Sequence, residues 1–248
     1  VVPATVPLID GTTGLVTAII EGTTLTQIRT AAISGAATEL LSNPDSRVAA
    51  LFGTGGQAAA QLEALMTVRK LEEIRIFAAL TGRAAAFVEK QQPLADRFGV
   101  RLIEAATSRQ AVTDADVITT VTTSATPVFC NEDIKPGCHI NGVGSYTPDK
   151  RELPAELLRR ADRIFVDNRE AVLSEAGDFI IPMKEGLFSS ESIDGELGEL
   201  ILGEVEGRRS KDEITILKTV GFATLDIVAA AEIVKKAKEA GVGTVINL

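Results

Sequence analysis

The sequence has few of the residues that form cross-links or bind polyanions. Its two cysteines, Cys130 and Cys138, are too few for a disulfide framework and lack the spacing of a zinc site, so no metal is expected and a reducing cytoplasm is the expected compartment. Lys and Arg number 25 against 34 Asp and Glu, a net charge of −9. This deficit argues against nonspecific nucleic-acid binding, which needs clustered basic side chains.

Long apolar runs are also missing. No stretch approaches the roughly 18 consecutive apolar residues of a membrane helix. No basic start followed by an apolar run resembles a signal peptide. The sequence therefore predicts neither a membrane nor a nucleic-acid partner, and it leaves room for a small anionic ligand that needs only a local positive site.

From Arg47 onward, short apolar runs alternate with stretches of helical periodicity. Strands are predicted over residues 48–52, 73–78, 100–105, 117–121, 140–143, 163–167 and 214–220, and helices over residues 58–69, 83–98 and 223–240. This alternation is typical of a parallel sheet covered on both faces. We therefore expect an α/β fold with a Rossmann-type doubly wound sheet.

The N-terminal region has a different pattern. Residues 1–9 and 15–21 flank a glycine-containing turn and predict an antiparallel pair, and residues 24–41 predict a helix that ends at Asn43-Pro44. We expect a dinucleotide-binding domain over residues 43–170, and a smaller substrate-binding and dimerisation domain built from residues 1–42 and 171–248.

A glycine-rich turn follows the first strand of the expected sheet. The segment from Gly53 to Ala58 reads GTGGQA and matches the G-x-G-x-x-A form of the dinucleotide fingerprint, with a strand before it and a helix after it. Gly53 permits the tight turn, Gly55 lets the backbone approach a pyrophosphate, and the helix start offers unpaired N–H groups. The alternative is an ordinary glycine-rich turn between a strand and a helix.

The acidic residue that binds the ribose hydroxyls of NAD is missing from the end of the second strand, which reads IFAAL over residues 76–80. Arg83 follows and could meet the 2′-phosphate of NADP, or it could simply be a solvated helix start. The sequence leaves NAD and NADP open.

Arg29 is the one basic residue in the nearly uncharged helix predicted at residues 24–41, and it shares an apolar stripe with Leu25 and Ile33. A buried guanidinium needs an anionic partner, which is either a substrate carboxylate or a protein acid.

His139, the single histidine, has no visible triad partners and is interpreted as structural. Asp226, near a helix start, is also interpreted as structural first.

Taken together, several segments resemble the ornithine cyclodeaminase/mu-crystallin family in order and spacing. These are GT at 22–23, RTAA at 29–32, GTGGQ at 53–57, residues 133–153, GELI at 198–201, DEITI at 212–216 and GFATLD at 221–226. The family includes cyclodeaminases, alanine dehydrogenases, and reductases of cyclic ketimines and of pyrroline carboxylate. It also includes a lens crystallin that binds thyroid hormone.

The resemblance implies roles for individual residues. Arg29 would bind the substrate carboxylate, and Val220 would line the substrate side of the site. The implied cofactor contacts are Thr30, Gly53, Gly55, Gly56, Gln57, Thr122, Asn141, Val143, Gly144, Lys150 and Thr219.

Two departures from the family pattern shape the expected activity. Cyclodeaminases have an aspartate acid/base where this chain has Tyr146, and a phenol cannot act as a carboxylate base at neutral pH. Asp149 lies three residues further along a turn, which is a different place. The chain also begins after the segment in which family members carry a lysine that reaches the substrate, so the substrate domain is expected to be truncated.

The function implied is therefore an NAD(P)-dependent oxidoreductase of a small amino or imino acid, with Arg29 and Tyr146 as catalytic residues and a homodimer as the assembly. The alternatives are an ornithine cyclodeaminase and a crystallin-like NADP(H)-binding protein without catalysis.

Overall fold

The computed structural model describes residues 3–246. The strands are β1 (Thr5–Ile9), β2 (Val16–Glu21), β3 (Val48–Phe52), β4 (Glu73–Phe77), β5 (Arg101–Glu104), β6 (Val117–Thr120), β7 (His139–Gly142), β8 (Arg163–Val166), β9 (Gly195–Glu196) and β10 (Thr215–Lys218). The α-helices are α1 (Gly22–Leu41), α2 (Ala58–Val68), α3 (Arg83–Phe98), α4 (Ser108–Val112), α5 (Ala155–Arg160), α6 (Arg169–Glu175), α7 (Gly177–Lys184), α8 (Leu197–Leu202) and α9 (Ala223–Glu239).

The chain divides into two compact units. The smaller unit comprises the residues up to Thr30 and those from Phe222 onward, and the larger unit is Ala31–Gly221. These limits differ from the boundaries expected at 42/43 and 170/171. The assignment of separate cofactor and substrate domains stays a prediction.

The larger unit is built on a parallel sheet. Among the described residues, eight strands lie in the order β5-β4-β3-β6-β7-β10-β8-β9, and every neighbouring pair is parallel. The chain leaves β3 toward β4 and β5, and then returns to the other side of β3 as β6. The carboxyl ends of β3 and β6 therefore flank the point where the strand order reverses, which is where open α/β sheets bind ligands.

Apolar residues on both faces of β3 explain why this segment is a central strand. Ala50 and Phe52 face one hydrophobic cluster, and Ala49 and Leu51 face the other. This two-residue alternation with burial on both sides is the pattern of a parallel strand covered by helices. The Rossmann-type α/β fold class expected from the sequence is confirmed.

The expected elements match the observed ones closely until residue 143. The bounds of β3 and α3 are the same as expected, β1 begins at Thr5 instead of residue 1, and the others shift by one or two residues. The sequence did not predict α5, α6, α7, α8 or β9. These elements have two to eight residues, and α7 contains Pro182, so none fills the window of about 11 residues over which helical periodicity is recognised.

The smaller unit contains the antiparallel pair β1–β2, the beginning of α1 and helix α9. Asp10 forms the hairpin turn by accepting hydrogen bonds from the main-chain N–H groups of Thr12 and Thr13. Residues 1 and 2 of the expected first strand lie outside the described residues. Within residues 3–246, none of the helices combines the length and the apolarity that crossing a membrane requires.

Candidate functional site

The glycine-rich turn between β3 and α2 is shaped to receive an anion. Gly53 has φ +100°, and a Cβ on it would lie 2.6 Å from the Val121 carbonyl oxygen. Gly55 is exposed, and no atom lies within 4 Å of its potential Cβ. The first turn of α2 contains no acidic residue, and within the described chain the Gln57 side chain makes no capping hydrogen bond. The positive end of the α2 dipole therefore faces no acidic side chain of its own first turn, which suits a phosphate.

A cleft of about 380 Å³ opens beside this turn, at the carboxyl ends of β3, β4 and β6. Its lining includes Gly53, Gly55, Leu80, Arg83 and Thr122. Among the described residues, the lining has one basic side chain and no acidic one. The cleft matches the position expected for the adenosine half of a dinucleotide, and NAD and NADP both remain open.

One buried carboxylate, Glu152, joins the ends of β6 and β7. Its Oε1 accepts a hydrogen bond from the Thr122 N–H at 2.6 Å. Its Oε2 accepts from the Gly144 N–H at 2.6 Å, the Ser145 N–H at 3.2 Å and the Thr120 hydroxyl at 2.9 Å. The Glu152 side chain thus holds the main chain at two of the expected cofactor contacts, Thr122 and Gly144.

Gly144 fills a position that has no room for a side chain. A Cβ there would lie 2.2 Å from the Thr122 carbonyl oxygen and 2.6 Å from Glu152 Oε1. Gly53 also packs against this segment, because its potential Cβ would lie 3.2 Å from Thr122 Cγ2. The structure therefore brings Gly53, Thr122 and Gly144 together at the strand ends, as expected for three residues of one site.

The loop after Gly144 is held at both ends. The Ser145 hydroxyl donates to the Lys150 carbonyl oxygen at 2.7 Å and accepts from the Asp178 N–H at 3.1 Å. Val143 is buried and its N–H donates to the Thr120 carbonyl at the end of β6. Tyr146 is 54% exposed, and Lys150 is partly exposed. The phenol is therefore accessible from solvent, on a loop with a fixed backbone.

A buried ion pair lies beside Glu152. Lys218 Nζ and Asp178 Oδ2 are 3.1 Å apart, and both side chains are fully buried. Asp178 Oδ1 accepts from the Glu152 and Leu153 N–H groups, and Lys218 donates to the Gly142 carbonyl. Burial, and then the negative charge of Asp178, raise the pKa of Glu152, whereas the Lys218 ammonium acts in the opposite direction.

The end of β10 is fixed by Asp167. Its Oδ2 accepts from the Thr219 hydroxyl at 2.6 Å, from the Gly221 N–H at 2.7 Å and from the Val220 N–H at 3.1 Å. The Thr219 N–H also donates to the Gly142 carbonyl. Thr219 and Val220 thus lie beside the end of β7. Their roles toward cofactor and substrate stay predictions.

His139 and Asn141 belong to a buried polar network on β7. The His139 ring nitrogens lie 2.9 Å from Thr215 Oγ1 and 3.1 Å from Asn141 Oδ1. The Asn141 amide donates to the Thr38 and Thr119 hydroxyls. Complete burial lowers the pKa of His139 to about 3. The histidine is therefore neutral and structural, as interpreted from the sequence, and the Asn141 side chain serves the core.

Arg29 has a protein acid as its partner. In the smaller unit, its Nε lies 2.9 Å from Asp226 Oδ1, and its side chain is 14% exposed. Thr30 is buried beside it in the chain. The ion pair is the alternative that the sequence left open for Arg29. A role toward a substrate carboxylate stays a prediction, as does the cofactor contact at Thr30.

Sequence reasoning missed the cluster of Glu152, Asp178 and Lys218. One signal was available, because Lys218 falls within an expected buried strand and a buried ammonium requires a partner. Nothing in the spacing of the three residues identifies that partner as Asp178.

A model of the ornithine cyclodeaminase/mu-crystallin family matches residues 1–241. The Delta(1)-pyrroline-2-carboxylate reductase of a Bacillus cereus strain is 41% identical over 238 residues, which cover 96% of this chain and 72% of that protein.

Solved structures show the same architecture. The Thermococcus litoralis Delta(1)-pyrroline-2-carboxylate reductase, in complex with NADH and L-proline, has a TM-score of 0.93 at 38% identity, covering 98% of this chain and 74% of that one. An archaeal alanine dehydrogenase dimer with bound NAD has a TM-score of 0.90 at 32% identity, covering 99% of this chain and 74% of that one.

Proposed function

The chain belongs to the ornithine cyclodeaminase/mu-crystallin family, and from this premise we propose that it is an NAD(P)-dependent reductase of a small cyclic imino acid. The observation that carries the proposal is the 41% identity to a pyrroline-2-carboxylate reductase across 96% of the chain. Tyr146 in place of the cyclodeaminase aspartate supports reduction over ammonia release, because a neutral phenol is not a carboxylate base.

The residues around the glycine-rich turn fit a dinucleotide. Gly55 has open space beside it, the first turn of α2 has no acidic side chain, and the adjoining cleft is large enough for part of a nucleotide. When bound, a reduced nicotinamide supplies the hydride that the C=N carbon accepts. The chain's own contribution is to hold the two reactants and to deliver a proton to the imine nitrogen.

Two side chains are proposed to act on the imino acid. The Arg29 guanidinium binds its carboxylate, since guanidinium and carboxylate form a charge-assisted pair of hydrogen bonds. Tyr146, exposed on its loop, is the proposed donor of the proton to nitrogen, directly or through water. Overall, hydride and proton convert the C=N bond to an amine and the reduced cofactor is oxidised.

The proposed activity is tested with 1-pyrroline-2-carboxylate and 1-piperideine-2-carboxylate. We expect either imine to be reduced with NADH or NADPH, measured as loss of absorbance at the nicotinamide band. Ornithine with NAD serves as the control for the lyase. Proline and ammonia from ornithine would show a cyclodeaminase instead. Tight cofactor binding without turnover of any substrate would indicate a crystallin-like binding protein.

Cofactor binding is tested by Gly55→Asp. The site of the new side chain is open, so the fold should survive, but a carboxylate at the start of α2 would repel the pyrophosphate. We expect affinity for NADH and NADPH, measured by nicotinamide fluorescence, to fall on the order of 100-fold. Gly55→Ala is the uncharged control: its Cβ narrows the approach of the pyrophosphate without adding a charge, so it should lose less affinity than Gly55→Asp. If Gly55→Asp binds both cofactors like the parent, the turn is not the pyrophosphate site.

A homodimer is the proposed assembly. The smaller unit exposes several large apolar side chains, on the hairpin and on α9: Ile9, Val16, Ile19, Ile227 and Val228. Exposed apolar groups of this extent favour a partner surface. Light scattering at micromolar concentration should give twice the chain mass, and a monomer would contradict the proposal.

The cytoplasm is the proposed compartment. Cys138 is a buried free thiol and Cys130 an exposed one, which suits a reducing environment. A fractionation experiment that recovers the protein outside the cytoplasm would contradict this.

A further inference from the structure

We propose that Glu152 is a positioning residue that fixes the nicotinamide half of the cofactor site by joining the main chains at the ends of β6 and β7. The inference rests on the proposed function and goes beyond it, because Glu152 is assigned a role toward the cofactor without touching it. Its carboxylate acts through the main chain of Thr122, Gly144 and Ser145, because it accepts a hydrogen bond from the N–H group of each.

The hydrogen-bond pattern of Glu152 requires an acceptor at both oxygens. Oε1 accepts one hydrogen bond from a main-chain N–H group. Oε2 accepts two more from main-chain N–H groups and a third from the Thr120 hydroxyl. A carboxylate is acceptor-only and matches this arrangement, whereas an amide would place an NH₂ group against a main-chain N–H in either orientation. In a fully buried site, that conflict cannot be relieved by water.

The surroundings fix Glu152 itself. Asp178 accepts from the Glu152 main-chain N–H at 2.6 Å and from the Leu153 N–H at 2.9 Å. Lys218 pairs with Asp178 and donates to the Gly142 carbonyl at the last residue of β7. The cluster therefore connects the ends of β6, β7 and β10 to the start of α7.

The position of this cluster in the sheet indicates which half of the cofactor it serves. Doubly wound sheets bind one mononucleotide on each side of the point where the strand order reverses. The glycine-rich turn and Arg83 belong to the β3–β4 side, and Thr122 borders the same cleft from the β6 side. Glu152 holds the β6–β7 side. Gly144 packs so closely on Thr122 that any separation of the two strand ends would alter the surface on this side.

Glu152→Gln separates this role from a general effect on folding. We expect NADH affinity to fall at least tenfold, measured by nicotinamide fluorescence, and ADP affinity to stay within twofold of the parent, measured by calorimetry. ADP reports on the adenosine and pyrophosphate half alone. Unchanged NADH affinity would overturn the proposal, and so would an equal loss of NADH and ADP affinity, because it would show a fold-wide effect.

Glu213→Gln is the matched control. Glu213 is also a buried carboxylate that accepts hydrogen bonds from two main-chain N–H groups, those of Arg209 and Ser210. It precedes β10, however, and so lies at the amino ends of the strands, opposite the carboxyl ends that Glu152 joins. It should lower the stability of the protein and leave the affinities for NADH and ADP unchanged. If Glu213→Gln weakens NADH binding as strongly as Glu152→Gln, the effect is not specific to the strand ends and the proposal fails.

A second pair of variants covers the case in which Glu152→Gln does not fold. Thr120→Val removes one hydrogen bond to Oε2, and Thr120→Ser keeps it. We expect NADH affinity to fall roughly threefold or more in Thr120→Val and to match the parent in Thr120→Ser, with ADP affinity unchanged in both. Equal NADH affinity in the two variants would overturn the proposal. A parent protein that binds ADP but neither NADH nor NADPH would refute the proposed function itself.

Discussion

Replacing Arg29 by alanine is expected to raise the KM for the cyclic imine roughly 30- to 700-fold and to leave NADH affinity within twofold. The range corresponds to the loss of about 2–4 kcal/mol for a charge-assisted, two-point contact with a carboxylate. Steady-state kinetics with 1-pyrroline-2-carboxylate would measure the first quantity, and nicotinamide fluorescence the second.

The geometry of Arg29 is compatible with a second anion. Its Nε–H donates to Asp226, and four of the five donors of a guanidinium belong to the terminal nitrogens. Asp226 therefore orients the planar guanidinium of Arg29 through one of its donors. This arrangement is suited to holding a substrate-binding residue in place. Arg29→Lys keeps the charge but loses the planar pair of donors, so it should recover only part of the imine affinity.

Asp226→Asn is the variant that separates the two roles of Arg29. If the ion pair is purely structural, Arg29→Ala and Asp226→Asn should lower the unfolding free energy to a similar extent and leave the KM unchanged. If Arg29 binds the substrate, Asp226→Asn should change the KM much less than Arg29→Ala does. An Arg29→Ala protein with the KM of the parent would refute the assignment of the carboxylate.

Lowering the pH from 7.5 to 5 is expected to cost about 2 kcal/mol of unfolding free energy through His139 alone. The folded protein keeps this imidazole neutral, with a pKa of about 3, against 6.5 for an unperturbed histidine. Between these values the unfolded chain binds more protons than the folded one, so stability falls as the pH falls, by about 1.4 kcal/mol per pH unit. Urea unfolding at a series of pH values measures this slope.

The control for this prediction is His139→Gln, which removes the titrating group and retains a polar side chain. It should be less stable than the parent at pH 7.5, because contacts with Thr215 and Asn141 are lost or altered. The difference in stability from the parent should shrink as the pH falls toward 5. Since His139 is the single histidine of the sequence, equal slopes in the two proteins would contradict the assigned cause.

Local pattern was sufficient to predict the first half of the larger unit. The strand Val48–Phe52 has buried residues on both faces, and the helix Arg83–Phe98 ends at Gly99 in the left-handed region, which is a strong helix-termination signal. The glycine-rich turn was also predictable, because its fingerprint is continuous in sequence and Gly53 occupies a position with no room for a side chain. Between residues 145 and 213, β8 was expected from its apolar run, whereas the other short elements are fixed by contacts with distant residues that periodicity does not reveal.

Candidate site residues could be predicted only from a continuous motif or from the family resemblance. Gly53 was identified from the glycine-rich fingerprint, and Thr122 and Gly144 through the resemblance; the structure places the three close together. Glu152, Asp178 and Lys218 meet across separations of 26 and 40 residues. Their partnership depends on strand order, because β10 must lie beside β7 before Lys218 can reach Gly142 and Asp178.

The position of β10 has a consequence for the order in which the chain can assemble. This strand is the last of the sheet in sequence, yet it is inserted between β7 and β8 and hydrogen-bonded to both. During synthesis, β7 and β8 therefore leave the ribosome with unpaired edges that no earlier segment can cover in the native order. The strands from β3 to β7 can pair without it, but β8 and β9 can join the sheet only when residues 215–218 have emerged, and until then the facing edges of β7 and β8 stay exposed.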